Sequence, residues 1–273
     1  MKMAEIIILL SPNLKIFSMK CAAYLMERLG LYETLFLNIP KEMERFVSDL
    51  AEGLLSYELF MHDISTERLI PEPVESWEYT AEPLLRILPN LKSSDPELEI
   101  HCYSAKKHEF LLNEIAIRMA CLTLQTAMTG RVNVGEWIEL LEESLRFERE
   151  ILAKKKSLIV DWAYGKCICL SSLSGKRLKE TLSQEEHLVT TKYIGGVYHF
   201  TPLEILERRW RREFLSGEEI ERLVRCHLEY IRDYIYVSSN LDKAYYQWVH
   251  DKVPWLRTTI DLGVIRFLDF LTH

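Results

Sequence analysis

Two histidines and an aspartate are the side chains here best suited to acid-base chemistry. His62 and His101 can change charge near neutral pH without any perturbation, and Asp161 is a carboxylate able to orient and charge-stabilise an imidazole. Asp63 adjoins His62, but in a strand alternation turns neighbours to opposite sides, which leaves Asp161 or a loop glutamate as an equal partner. Such a set could activate water for hydrolysis. Polar residues that could hold a small polar or anionic ligand are Ser11, Asn13, Asn38, Tyr103 and Tyr164. Lys166, after Gly165, and Lys176, in the turn Ser174-Gly175-Lys176-Arg177, add cations where backbone amides and a helix N-terminus favour an anion.

These residues belong together only if the chain brings them to one edge, and its punctuation predicts that. Apolar runs at 6–10, 34–37, 59–61 and 98–101 each end in polar or turn-forming residues: Ser11-Pro12-Asn13, Asn38-Ile39-Pro40, His62-Asp63 and Cys102-Tyr103-Ser104. Further short runs at 157–160, 167–170 and 187–198 extend the pattern. Strand-like runs alternating with helical stretches read as an α/β fold, a mostly parallel Rossmann-like sheet flanked by helices. Ligands of such sheets bind outside the carboxyl ends of the strands. The expected organisation is an α/β sheet domain over 1–200, with an αα-hairpin inserted at about 107–155, and a helical C-terminal region over 201–273 packed on it. The proline-rich excursion 64–89, with Glu72, Glu75, Glu78 and Glu82, reads as a long loop and short helix able to act as a lid. Thr201-Pro202-Leu203-Glu204 and Ser216-Gly217-Glu218-Glu219 are capping-box patterns that open helices.

Composition narrows the function classes. A chain of 273 residues, 48% apolar and 27% charged, can bury a large core without staples. The net charge of −7 argues against a duplex nucleic-acid partner, and the basic run 208–212 reads as a solvated helix face. No run is long and apolar enough for a membrane span, and the N-terminus lacks the features of a signal sequence, so a cytoplasmic location is expected. The six cysteines form no CxxC pair and no zinc-type spacing with histidine, so no metal is expected. Neither GxxxxGK[ST] nor GxGxxG is present, and no cofactor is expected. Three glutamines and six asparagines in the whole chain, against abundant Glu and Lys, fit a thermophilic source.

The segments IIILLSPN, TLFLNIPKEMERF, LIVDWAYGK and LSGKRLKETL resemble the layout of the TraB/ChaN/erythromycin-esterase-like superfamily over residues 5–103 and 157–198. Members carry a histidine after the first strand, an acidic residue after the second and a histidine after the late strand. Here the matching places hold Pro12 or Asn13, Asn38 or Glu42, and Tyr164 or Lys166. The resemblance therefore implies an altered hydrolytic site or a noncatalytic descendant.

Three readings follow. The first is a protein that binds a small polar or anionic ligand at the strand ends, with hydrolysis as its reaction. The second is a noncatalytic sensor or assembly module that engages a partner, or a second copy in a homodimer, through the aromatic residues Tyr230, Tyr234, Tyr245, Tyr246, Trp248 and Trp255. The third is a cyclic-nucleotide sensing Rossmann-like module.

Overall fold

The computed structural model describes residues 3–28 and 30–259. Its centre is a five-stranded, all-parallel sheet of β1 (Glu5–Ser11), β2 (Thr34–Pro40), β3 (Glu99–Ser104), β4 (Lys166–Ser172) and β5 (Leu188–Tyr193). The spatial order is β3-β2-β4-β1-β5. The helices are α1 (Lys15–Met26), α2 (Glu44–Ala51), α3 (Tyr57–Thr66), α4 (Val74–Leu85), α5 (Leu88–Ser94), α6 (Lys106–Thr129), α7 (Val134–Trp162) and α8 (Gly175–Leu182). They are followed by α9 (Pro202–Trp210), α10 (Gly217–Tyr230) and α11 (Leu241–Lys252), with a π turn at Ile231–Ile235 between the last two.

Side-chain alternation divides the strands between two cores. Ile6, Ile8, Phe36, Tyr103, Cys167 and Cys169 pack with Ile159 of α7 and Leu178 and Leu182 of α8. Leu9, Leu35, Leu37, Cys102, Ile168 and Leu170 pack on the other face with residues of α1 to α5. Parallel crossovers keep one hand, so the direction in which a connection leaves a strand decides which face its helix covers. The connection after β1 runs toward β2, and the one after β4 runs toward β5. These adjacent strands thus form the switch point of the sheet, where a doubly wound fold opens a crevice.

Two runs read as strands are helical. Leu59–Met61 lies in α3, where Ser56 caps the helix by accepting from the Leu59 amide at 3.3 Å, and Tyr57, Phe60 and Ile64 are buried at helical spacing. Residues 157–160 continue α7 to Trp162, with Ile151 and Ile159 buried on one stripe, and the strand begins only after Gly165. That glycine sits at φ 57°, a left-handed turn that lets a long helix reverse into a strand. The excursion 64–89 is likewise mostly helical. α4 starts after Pro73, and Pro83 lies inside its last turn, where it removes one backbone hydrogen bond.

The chain divides into two compact units, Met1–Asn113 with Glu148–Gly195, and Glu114–Phe147 with Gly196–His273. The first holds the sheet. The second has its own core of Ile115 and Met119 from α6, Trp137, Leu140 and Leu141 from α7, Leu206 from α9, and Leu215, Ile220, Leu223 and Val224. Both capping boxes are formed, with Thr201 and Glu204 opening α9 and Ser216 and Glu219 opening α10. The part of the expected helical region at 260–273 lies outside the described residues. Among the described residues, no helix is long and apolar enough to cross a membrane.

Candidate functional site

The carboxyl ends of β1, β2 and β4 open into a cleft of about 480 Å³ within the sheet-bearing unit. Its floor is Ser11 at the end of β1 with Pro12 and Asn13 after it, Leu37, Asn38 and Ile39 of β2, and Leu170, Ser171 and Ser172 of β4. One face of α4, with Ser76, Trp77, Thr80, Ala81, Leu84 and Leu85, makes a wall, and Ser18 of α1 and Glu109 of α6 complete the lining. Lys15 of α1 ties that wall in place through Glu82 at 2.8 Å. The lining is half hydroxyl and amide, half aliphatic with one indole, which suits a ligand that has a polar end and an apolar body.

Strand alternation explains the polar side of the cleft. Phe36 and Asn38 point toward α7, and α7 brings Lys155 to the strand ends four residues before Ile159. The Lys155 ammonium donates to Asn38 Oδ1 at 2.6 Å and lies 5.7 Å from the centre of the Tyr103 ring. Among the described residues it pairs with no carboxylate within salt-bridge distance. Burial lowers its pKa below the ordinary lysine value, while the charge of Glu109 acts in the opposite direction. Glu109 Oε1 accepts from the Ser104 hydroxyl at 2.7 Å. Beneath them Tyr103 is core. Its hydroxyl donates to the Leu170 carbonyl at 2.5 Å, and burial holds the phenol well above its usual range.

The β4-α8 turn closes tightly against the floor. A Cβ on Gly175 would lie 2.6 Å from Ser171 Cβ and 2.8 Å from Leu10 Cδ2, so only glycine lets α8 begin this close to the strand. Ser172 and Ser174 hydroxyls share a hydrogen bond of 2.7 Å in that turn.

Of the residues singled out in the sequence, Ser11, Asn13 and Asn38 line the cleft. The others lie elsewhere. His62 is exposed on α3. His101 is mid-strand, because β3 runs on to Ser104. It faces α7, stacks on Trp162 at 4.6 Å between ring centres, and sits between Glu44 Oε1 and Glu99 Oε2, each 3.1 Å from a ring nitrogen. Asp161 is exposed at the end of α7, and Tyr164 and Lys166 flank the start of β4, at the edge of the sheet opposite the cleft. Tyr103 is 1% exposed, and Lys176 is exposed on the first turn of α8 outside the lining. In the excursion, Glu82 holds Lys15 and Arg86, and Glu78 accepts from Tyr57 at 2.8 Å.

Reading the sequence missed Lys155, Glu109 and Ser104, and with them the hydroxyls of Ser18, Ser76, Thr80, Ser171 and Ser172 in the lining. Lys155 stands in Lys154-Lys155-Lys156, which reads as a cationic helix end. The signal that separates it from its neighbours is its spacing of four residues from both Ile151 and Ile159. Among the described residues there is no group of three His, Cys, Asp or Glu that could hold a metal ion. The cysteines are free, with Cys167 and Cys169 in the apolar core, where burial pushes the Cys169 thiol up to about 12. No family model matches the chain, and neither a curated protein nor a solved structure matches it.

Proposed function

We propose that this protein binds a small polar or anionic ligand in the cleft over the carboxyl ends of β1, β2 and β4, and acts through binding. The observation that carries the reading is the lining itself: hydroxyl and amide groups of Ser11, Asn13, Asn38, Ser171 and Ser172 converge beside an aliphatic wall with an indole. Hydrolysis draws less support. The residues that suggested it, His62, His101 and Asp161, stand apart from the lining, and His101 is engaged by two carboxylates. The aromatic residues that suggested an assembly surface pack largely on one another. Tyr198 stacks on Tyr245 at 4.9 Å, and Tyr245 and Trp248 are 2% and 6% exposed. A nucleotide remains among the ligands that the cleft volume suits.

The test is a thermal-shift screen against nucleotides, cyclic oligonucleotides, phosphate esters and small carboxylates, run in parallel on an Ala81→Trp variant whose indole fills the cleft. A ligand at a hundred times its dissociation constant adds about 2.7 kcal/mol, a shift of roughly 5 °C for a chain of this size. The reading expects a hit in the parent protein that the variant loses. A hit that survives in the variant places binding elsewhere and refutes it.

A further inference from the structure

The amide of Asn38 has its orientation dictated by a neighbour that can only donate. An ammonium carries three donors and no acceptor, so the atom of Asn38 facing Lys155 Nζ at 2.6 Å is its oxygen. The NH2 group is thereby turned away from Lys155. Among the described residues the Asn38 side chain makes no other hydrogen bond, and it lines the cleft. Two amide donors are left for whatever fills that space. Glu109, held by Ser104, offsets the charge of Lys155 from a distance without pairing with it, so the ammonium stays committed to Asn38.

We infer that Asn38 sets the hydrogen-bonding polarity the cleft accepts, with Lys155 as its positioning residue, so that the ligand presents an oxygen acceptor, a carboxylate or phosphate, to the Asn38 NH2 group. The inference rests on the cleft being the ligand site. A buried donor that meets another donor loses its hydrogen bond and keeps its desolvation cost, so the preference is for acceptors and against amidines or amines.

The experiment uses three probes with one ring and opposite polarity: benzoate and phenyl phosphate as acceptors, benzamidine as donor, titrated by ligand-observed NMR. In Asn38→Asp an oxygen replaces the NH2 group, while the contact with Lys155 becomes an ion pair that keeps the fold. The ratio of acceptor to donor affinity should fall at least about tenfold, with benzamidine binding more tightly than to the parent. Lys155→Met frees the amide to turn and should reduce the acceptor preference without inverting it, a result that a merely structural lysine does not produce. Whichever acceptor binds the parent more tightly identifies the oxyanion. An unmoved ratio in Asn38→Asp, or a parent that binds neither acceptor, overturns the inference. Loss of all three probes in Ala81→Trp with an unmoved ratio in Asn38→Asp removes only the polarity assignment. Binding retained in Ala81→Trp removes the cleft itself.

Discussion

Acidification should destabilise the helical unit through one buried imidazole. His227 lies on the inner stripe of α10 with Ile220, Leu223, Val224 and Tyr230, is 9% exposed, and among the described residues has no hydrogen-bond partner for its Nδ1. Burial lowers its pKa to about 4, from an ordinary value of 6.5. Because the folded state resists the proton and the unfolded chain accepts it, stability is whole above pH 6.5 and drains away as the pH falls toward 4. The difference in proton uptake amounts to about 2 kcal/mol between pH 8 and pH 5, and to about 3 kcal/mol by pH 4. His108 contributes in the same direction, its pKa lowered by burial and by the charge of Lys155. Comparing the parent with His227→Leu cancels such shared contributions. Urea unfolding followed by circular dichroism at pH 8 and pH 5 should show the variant losing about 2 kcal/mol less than the parent. Equal losses in the two proteins would show that the imidazole is not held neutral, and the burial argument would fail with it.

Three further outcomes follow from the geometry. Thr201→Ala and Ser216→Ala should each lower unfolding free energy by about 1 kcal/mol in denaturant titrations, since each side chain caps the third amide of its helix. Gly175→Ala should cost about 1–3 kcal/mol, because the new methyl meets Ser171 and Leu10 and α8 must move off the strand; an unchanged melting temperature contradicts that packing. A chromogenic disulfide reagent should titrate Cys121 and Cys226 rapidly in the native protein, and reach the buried Cys21, Cys102, Cys167 and Cys169 only on unfolding.

What was legible in the sequence was whatever is local. Continuous apolar runs bounded by turn residues mark β1, β2 and β4, because strands buried on both faces lose the alternation that would otherwise reveal them, whereas β5 is a largely exposed edge strand. The same rule misreads residues 59–61 and 157–160, where short apolar clusters belong to helical stripes. Both capping boxes were readable, since they need only four consecutive residues. Ser11, Asn13 and Asn38 are legible because each closes an apolar run, although β2 continues two residues past Asn38 to Pro40. His101 was misplaced by the three residues that β3 extends beyond its apolar run. Lys155 was hidden because its meaning depends on Asn38, more than a hundred residues away in the chain. Strand order is non-local in the same sense, and nothing in the runs themselves says that β4 lies between β1 and β2.

That insertion has a consequence for the timing of synthesis. Among the described residues β1 pairs with β4 and β5 alone, so it has no sheet partner until residues 166–172 have been made. At ordinary translation speeds the wait is on the order of ten seconds, with Ile6, Ile8 and Leu9 already able to meet other chains. β2 and β3 can pair in the meantime, so the arriving β4 adds to the open edge of β2 and only then gives β1 a partner. The long α6-α7 hairpin precedes that entry in every molecule. Assembly of the cleft therefore waits on β4, and a nascent chain stalled before residue 166 carries the residues of β1 and β2 without the strand that joins them.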